Sequence, residues 1–282
     1  MITFIKYLVL LISILLLAMS CEDVIDVKLE NADPRLVIEA SLDWEKGTAG
    51  NEQLIKLSMS SPYIDQPVTN SVTGALVTVT NNTDATQVVF TDQNDGTYTT
   101  DEFVPILNQS YTLQVVYDNQ TYIATETLMP VTDINEVDQS VEGGFDDEAI
   151  EVNVRFTDPE EENYYLFKFH EQGDVLPVLY DVKDEFVNGN EITVFYEKTD
   201  NEQTDEKKFE PGDNIDIQLF GISKQYYHFM HLLIEQAEYA GDPFSSTPAL
   251  LKGNCINPAN PSNFAFGYFR LTQTVKATYT VQ

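Results

Sequence analysis

His228, His231 and Glu235 sit three and four residues apart. On a helix that spacing sets two imidazoles and a carboxylate within about 60° of one another, close enough to meet a metal ion. The stretch lacks the His-Glu-x-x-His order of a metalloprotease, and a solvent-facing polar stripe accounts for the same residues. Two acidic runs, Asp146-Asp147-Glu148 and Glu160-Glu161-Glu162, could gather calcium if folding brought them together. In Asp92-Gln93-Asn94-Asp95-Gly96 the glycine comes one position too early for an EF-hand loop, and the segment reads as a hairpin turn. Cys255 lies among Gly253, Asn254, Ile256 and Asn257 without a histidine or other base, so it reads as a packed thiol and not a nucleophile. There is no Gly-x-Ser-x-Gly elbow, Walker loop or Rossmann fingerprint. No catalytic residue and no cofactor is expected, and calcium is the one ion the acidic loops leave open.

The chain has 282 residues, with 15 Lys+Arg against 46 Asp+Glu and a formal charge of −31. Such a field repels a phosphate backbone, which excludes nucleic acid as a partner, and it disfavours adsorption of the protein's own surface to anionic lipid. Hydrophobic residues make up 43% and aromatics 11%, so there is apolar material for a core and global disorder is excluded. Two cysteines cannot make a disulfide framework or a Cys-based zinc site.

The elements that must position these groups are mostly short strands. Leu36–Leu42, Leu54–Met59, Gly74–Thr80, Gln87–Phe90, Tyr111–Tyr117 and Thr121–Ala124 are β-rich and separated by turn residues, with tight turns expected at Asp95-Gly96 and at Asp118-Asn119-Gln120. This spacing predicts an immunoglobulin-like β-sandwich over 35–130. Leu128-Met129-Pro130-Val131 reads as a linker, because proline removes a ladder donor. A second β-rich domain is expected over 131–282, with Ile150–Phe156 turning at Asp158-Pro159-Glu160 into the return strand Tyr164–Phe169. The polar run 181–213 reads as a hairpin or loop. One amphipathic helix is expected near 224–240, capped by Ser223 and stopped by Gly241, with Tyr226, Phe229, Met230, Leu233 and Ala237 on its buried face. Phe264, Phe266, Tyr268 and Phe269 around Gly267 read as a final core strand in which glycine allows a close backbone approach. The fold class is therefore mainly β: two sandwich-like domains, the second with one helix.

Residues 1–20 read as a signal peptide, with Lys6 ahead of an uncharged run from Tyr7 to Met19 that is short for a membrane span. Ala18-Met19-Ser20-Cys21 resembles a bacterial lipobox, which implies lipidation of Cys21 and a tether over 21–34. Glu22, Asp23 and Asp26 resemble the surface-export signal of Bacteroidota lipoproteins, and a solvated acidic tether explains them equally. Further motifs follow in order: Pro34–Ala40, Ser61-Pro62-Tyr63, Val72–Val77, Asp95–Tyr98, Tyr122–Glu126, Pro243-Phe244, Gly253-Asn254 and Asn263–Phe269. In this order the chain resembles the Bacteroidota lipoprotein family known as domain of unknown function 4249. That resemblance implies an outer-membrane, lipid-anchored accessory of a TonB-dependent receptor. End loops of a β-sandwich usually carry binding, which points to those near Tyr63, Asn81 and Asn119, together with the aromatic neighbourhood of Tyr268, as partner or ligand contacts. A surface adhesion or matrix-binding module is the alternative. The family supplies no catalytic residues to carry over.

Overall fold

The computed structural model describes residues 6, 33–61, 70–141, 143, 144, 146, 148–184, 189–200, 207–238 and 250–282. Pro34–Gln282 form one compact unit. In chain order it carries β1 (Leu36–Glu45), β2 (Gln53–Met59), β3 (Asn70–Ser71), β4 (Leu76–Asn81), β5 (Gln87–Asp92), β6 (Thr97–Thr100), β7 (Ser110–Tyr117) and β8 (Gln120–Thr127). After the linker come β9 (Ile134–Ser140), β10 (Glu151–Thr157), β11 (Tyr164–Glu171), β12 (Val178–Lys183), β13 (Glu191–Glu197) and β14 (Asn214–Ile222). The helix α1 (Lys224–Glu238) and the long strand β15 (Phe266–Thr280) complete the described elements. The protein is thus mainly β with one helix in its second half.

Twelve strands form one sheet in the order β12-β11-β14-β15-β1-β2-β6-β5-β4-β7-β8, with β3 beside β2, and β13-β10-β9 form a second. Alternation fixes which side of each strand is buried. In β1, Leu36, Ile38, Ala40 and Leu42 are almost fully buried while the residues between them are not. The 118–119 turn has positive φ at both residues, 48° and 57°. That is the two-residue geometry whose twist suits a hairpin, so Gln120, expected in the turn, instead begins β8.

Two apolar cores meet at the linker. The first gathers residues from Leu36 to Leu128, together with Cys255, Ala265, Phe269 and Leu271. The second runs from Val131 to Val281. Strand β15 belongs to both. It pairs in parallel with β1, from Val37↔Phe266 to Glu45↔Thr274, and antiparallel with β14, from Phe220↔Thr274 to Asn214↔Thr280. Gln273 marks the seam, where its Oε1 accepts the Val131 N–H at 3.3 Å. At Gly267, φ is +88° and a Cβ would fall 2.1 Å from the Ile38 carbonyl oxygen, so the expected close approach is between the two paired strands.

Three expectations change. Strands β10 and β11 do not pair as a hairpin: β10 lies between β9 and β13, and β11 between β12 and β14. The Asp158–Asn163 segment therefore crosses from one layer of the second core to the other, because both strands carry apolar faces that only a sandwich can bury. The polar run 181–213 contributes β13 and the start of the segment into β14. In α1 the packed ridge is Tyr226 and Met230 with Ile234 partly covered, whereas Leu233 is 41% exposed and Ala237 is also exposed. The ridge follows the i, i+4 row, and Leu233 lies off it.

Candidate functional site

The even-numbered side chains of β15 turn away from both cores. Beneath α1 this face begins with Tyr268; beyond it lie Arg270, Thr272, Thr274, Lys276 and Thr278. The register sets Lys168 of β11 opposite Gln218 of β14, and Gln218 opposite Lys276. The next row is His170, Asp216 and Thr278. These six side chains line a hollow of about 350 Å³ together with Ile217 and Ala277. Thr278 Oγ1 donates to Asp216 Oδ1 at 3.0 Å, and the Lys276 ammonium lies 2.6 Å from Glu45 Oε2. Three same-face positions back along β15, Arg270 Nη2 donates to Asp43 Oδ2 at 2.9 Å, and its guanidinium lies over the Phe220 ring at 4.8 Å. Burial raises the Asp43 carboxyl, and the charges of Arg270, Lys168 and Lys276 pull it back down. Arg270 Nε and Asp43 Oδ1 are buried without a hydrogen-bond partner. The arrangement is a rigid, cation-bearing strip in an acidic protein, suited to holding a ligand by charge and hydrogen bonds.

Beneath the start of α1 lies a buried carboxylate. Ser223 caps the helix as expected, its Oγ accepting the Tyr226 N–H at 3.1 Å. Its hydroxyl donates to Glu126 Oε2 at 2.9 Å, and the Tyr268 hydroxyl reaches the same oxygen at 3.4 Å. Glu126 is 7% exposed, and burial raises its carboxyl. Tyr268 rests its ring 4.8 Å from both Tyr226 and Phe229. It is a packing residue there, and the ligand contact expected of it does not reach the surface.

The other expected groups are placed as follows. Asn81 is buried at a turn: its Oδ1 accepts the Thr83 N–H at 2.8 Å and its Nδ2 donates to Gln109 at 2.6 Å. Both ends of the amide shape the loop. Asn119 is exposed at its hairpin tip. Cys21 and Tyr63 lie outside the described residues. His231 Nδ1 is 2.9 Å from Asp181 Oδ2 and its Nε2 3.7 Å from Glu235, while the His228 ring leans on Tyr227 instead. Among the described residues no group of three or more His, Cys, Asp or Glu gathers to hold a metal ion. Of the acidic runs, Asp146 is paired with Lys208 at 2.7 Å and Glu162 with the Tyr164 hydroxyl at 2.6 Å. The Cys255 thiol is buried and pushed up to about 12 by that burial, an inert state. Lys168, Gln218 and Lys276 were not singled out by sequence, because only the pairing of three distant strands brings them into one row.

Among solved structures the chain has remote likenesses. The FN1–FN3 domains of chicken CNTN1 match at 14% identity and TM-score 0.27, over 69% of this chain and 64% of that one, so the chain spans less than two thirds of it. A cytokine receptor complex matches at 8% identity and TM-score 0.26, over 68% of this chain and 86% of that one. The chicken interferon gamma receptor alpha chain matches at 9% identity and TM-score 0.20, over 67% and 88%. No curated protein matches the chain. The motifs that run from the tether to the last strand do have a counterpart in a described family, matched over residues 22–278, and the chain belongs to it: the domain of unknown function DUF4249.

Proposed function

We propose that the protein is a non-catalytic, lipid-anchored accessory of a TonB-dependent uptake system at the outer membrane, attached through Cys21 and exposed at the cell surface. The observation that carries this reading is the cation-bearing hollow at Lys168, Gln218 and Lys276, presented in part on a strand that two cores hold still. Rigid scaffolds of this kind bind by what they display, and loops at their ends vary without disturbing the core. A lipid at Cys21 would confine the protein beside a membrane partner, which raises effective concentration without a large interface. The test is purification of the tagged protein in mild detergent with identification of what remains bound. An outer-membrane receptor is expected to co-purify, and Cys21→Ala is expected to leave the membrane fraction. A protein that runs alone at every salt and detergent condition overturns the receptor reading, and binding to a surface polymer in its place supports adhesion.

A further inference from the structure

We propose that the hollow on the outer face of β11, β14 and β15 binds a small hydroxylated carboxylate, its carboxylate held between Lys168 and Lys276 above the Gln218 amide and its hydroxyls set on Asp216 and Thr278. This rests on the reading of the protein as a ligand-binding accessory and names the ligand class.

Residues directly opposite on neighbouring strands stand ~5 Å apart at Cβ, so Lys168 and Lys276 flank Gln218 with their stems roughly 10 Å apart on the same face. A carboxylate set over the amide can accept from both ammonium groups and the NH₂ at once. Most cations of the described chain are engaged: Lys46, Lys56, Arg155, Lys198, Lys208, Lys224, Arg270 and Lys276 each lie against a carboxylate. Among the described residues Lys168 has no carboxylate at ion-pair distance, and its charge is felt only at longer range by Asp43. The ammonium of Lys168 lines a hollow on the face of the sheet, in a chain of net charge −31.

The second row sets the rest of the ligand. Asp216 Oδ1 is taken by the Thr278 hydroxyl, which leaves Oδ2 to accept a ligand hydroxyl. The same carboxylate disfavours a phosphate dianion by like-charge repulsion. A volume of about 350 Å³ is at the small end of the ligand-site range and matches a single sugar acid. The overall negative field opposes any anion, but at 0.1 M salt it is screened beyond about 10 Å, while the two ammonium groups act at contact distance.

The experiment is titration calorimetry on the full-length protein with galacturonate, glucuronate and gluconate, using galactose as the uncharged control. Saturable heat is expected with at least one of the acids and none with galactose. Lys168→Gln is expected to weaken that binding roughly tenfold, the value of one charge-assisted bond, with its thermal melt unchanged. Asp216→Asn, which keeps the fold's hydrogen bond from Thr278, is expected to weaken the acid as well. Absence of heat with all three acids at about 10 mM, equal binding of galactose, or undiminished binding by Lys168→Gln overturns the proposal. Receptor co-purification by the wild-type protein separates the two readings: if it occurs while none of the three acids binds, the ligand assignment alone fails.

Discussion

The first core is built from aliphatic side chains and from tyrosines that tie loops; the second is built from stacked rings and buried charge. In the first, Tyr98 donates to the Val72 carbonyl at 3.0 Å and accepts the Ala75 N–H at 3.1 Å, and Tyr111 does the same for Val104 and Ile106. These bonds are neutral. In the second, Phe169 stacks on Phe167 and Tyr196, with centroids 5.8 and 4.9 Å away, and meets the edge of Tyr180. Nearby, the Lys198 ammonium is buried between Glu171 and Asp174 at 2.6 and 3.0 Å. At the far end Asp158, 1% exposed, takes the Tyr165 hydroxyl at 2.7 Å and faces Asp184. Two sandwiches are thus stabilised by different physics, and the pH response of the second is expected to centre on Asp158.

The largest effect expected is from Phe169→Ala, which removes a fully buried ring from the aromatic stack and should cost about 3–5 kcal/mol in chemical denaturation. Next is Asp158→Asn. Burial pushes the Asp158 carboxyl up to about 6, and the neighbouring Asp184 adds to the rise while the Tyr165 hydroxyl opposes it. A folded-state value above the unfolded one means that the associated stability is complete below about pH 4 and is lost as pH rises through about 6, by up to about 3 kcal/mol. The amide cannot ionise, so the variant should lose that slope and be the more stable protein above pH 7; parallel pH profiles of variant and wild type would refute the assignment. Tyr98→Phe should cost about 1–2 kcal/mol from its two unmade bonds, by the same amount at both ends of that pH range. A pH-dependent loss there would erase the contrast between the cores. Smallest is Leu233→Ala on the exposed side of α1, expected within about 0.5 kcal/mol of wild type in a thermal melt.

Local structure was legible where one segment carries its own signal. The Asp95-Gly96 turn, the Ser223 cap, the alternation in β1 and a core strand around Gly267 all follow from neighbours in sequence. The helix face was misjudged for a local reason too: at 100° per residue, Leu233 and Ala237 share the Tyr226 stripe, but the residues that pack are Tyr226 and Met230, with Tyr227, Phe229 and Ile234 partly covered. Strand pairing across long separations was not legible. Nothing in Leu36–Glu45 announces a parallel partner at Phe266–Thr274, and the cationic row depends on three such pairings. The same blindness hid Asp158 beside Asp184, since the two meet only after a layer crossing.

The sharing of β15 has a consequence for how the protein is made. Fifteen residues at ~3.3 Å each form a strut of ~50 Å that supplies side chains to both cores. Until residues 266–280 emerge, β1 and β14 each offer an open edge, and neither apolar layer can close. A chain threaded N-terminus first therefore cannot finish one half while waiting for the other. Its assembly is deferred and then nearly simultaneous, with the slow kinetics of distant pairings. In the interval the open edges are sites for aggregation.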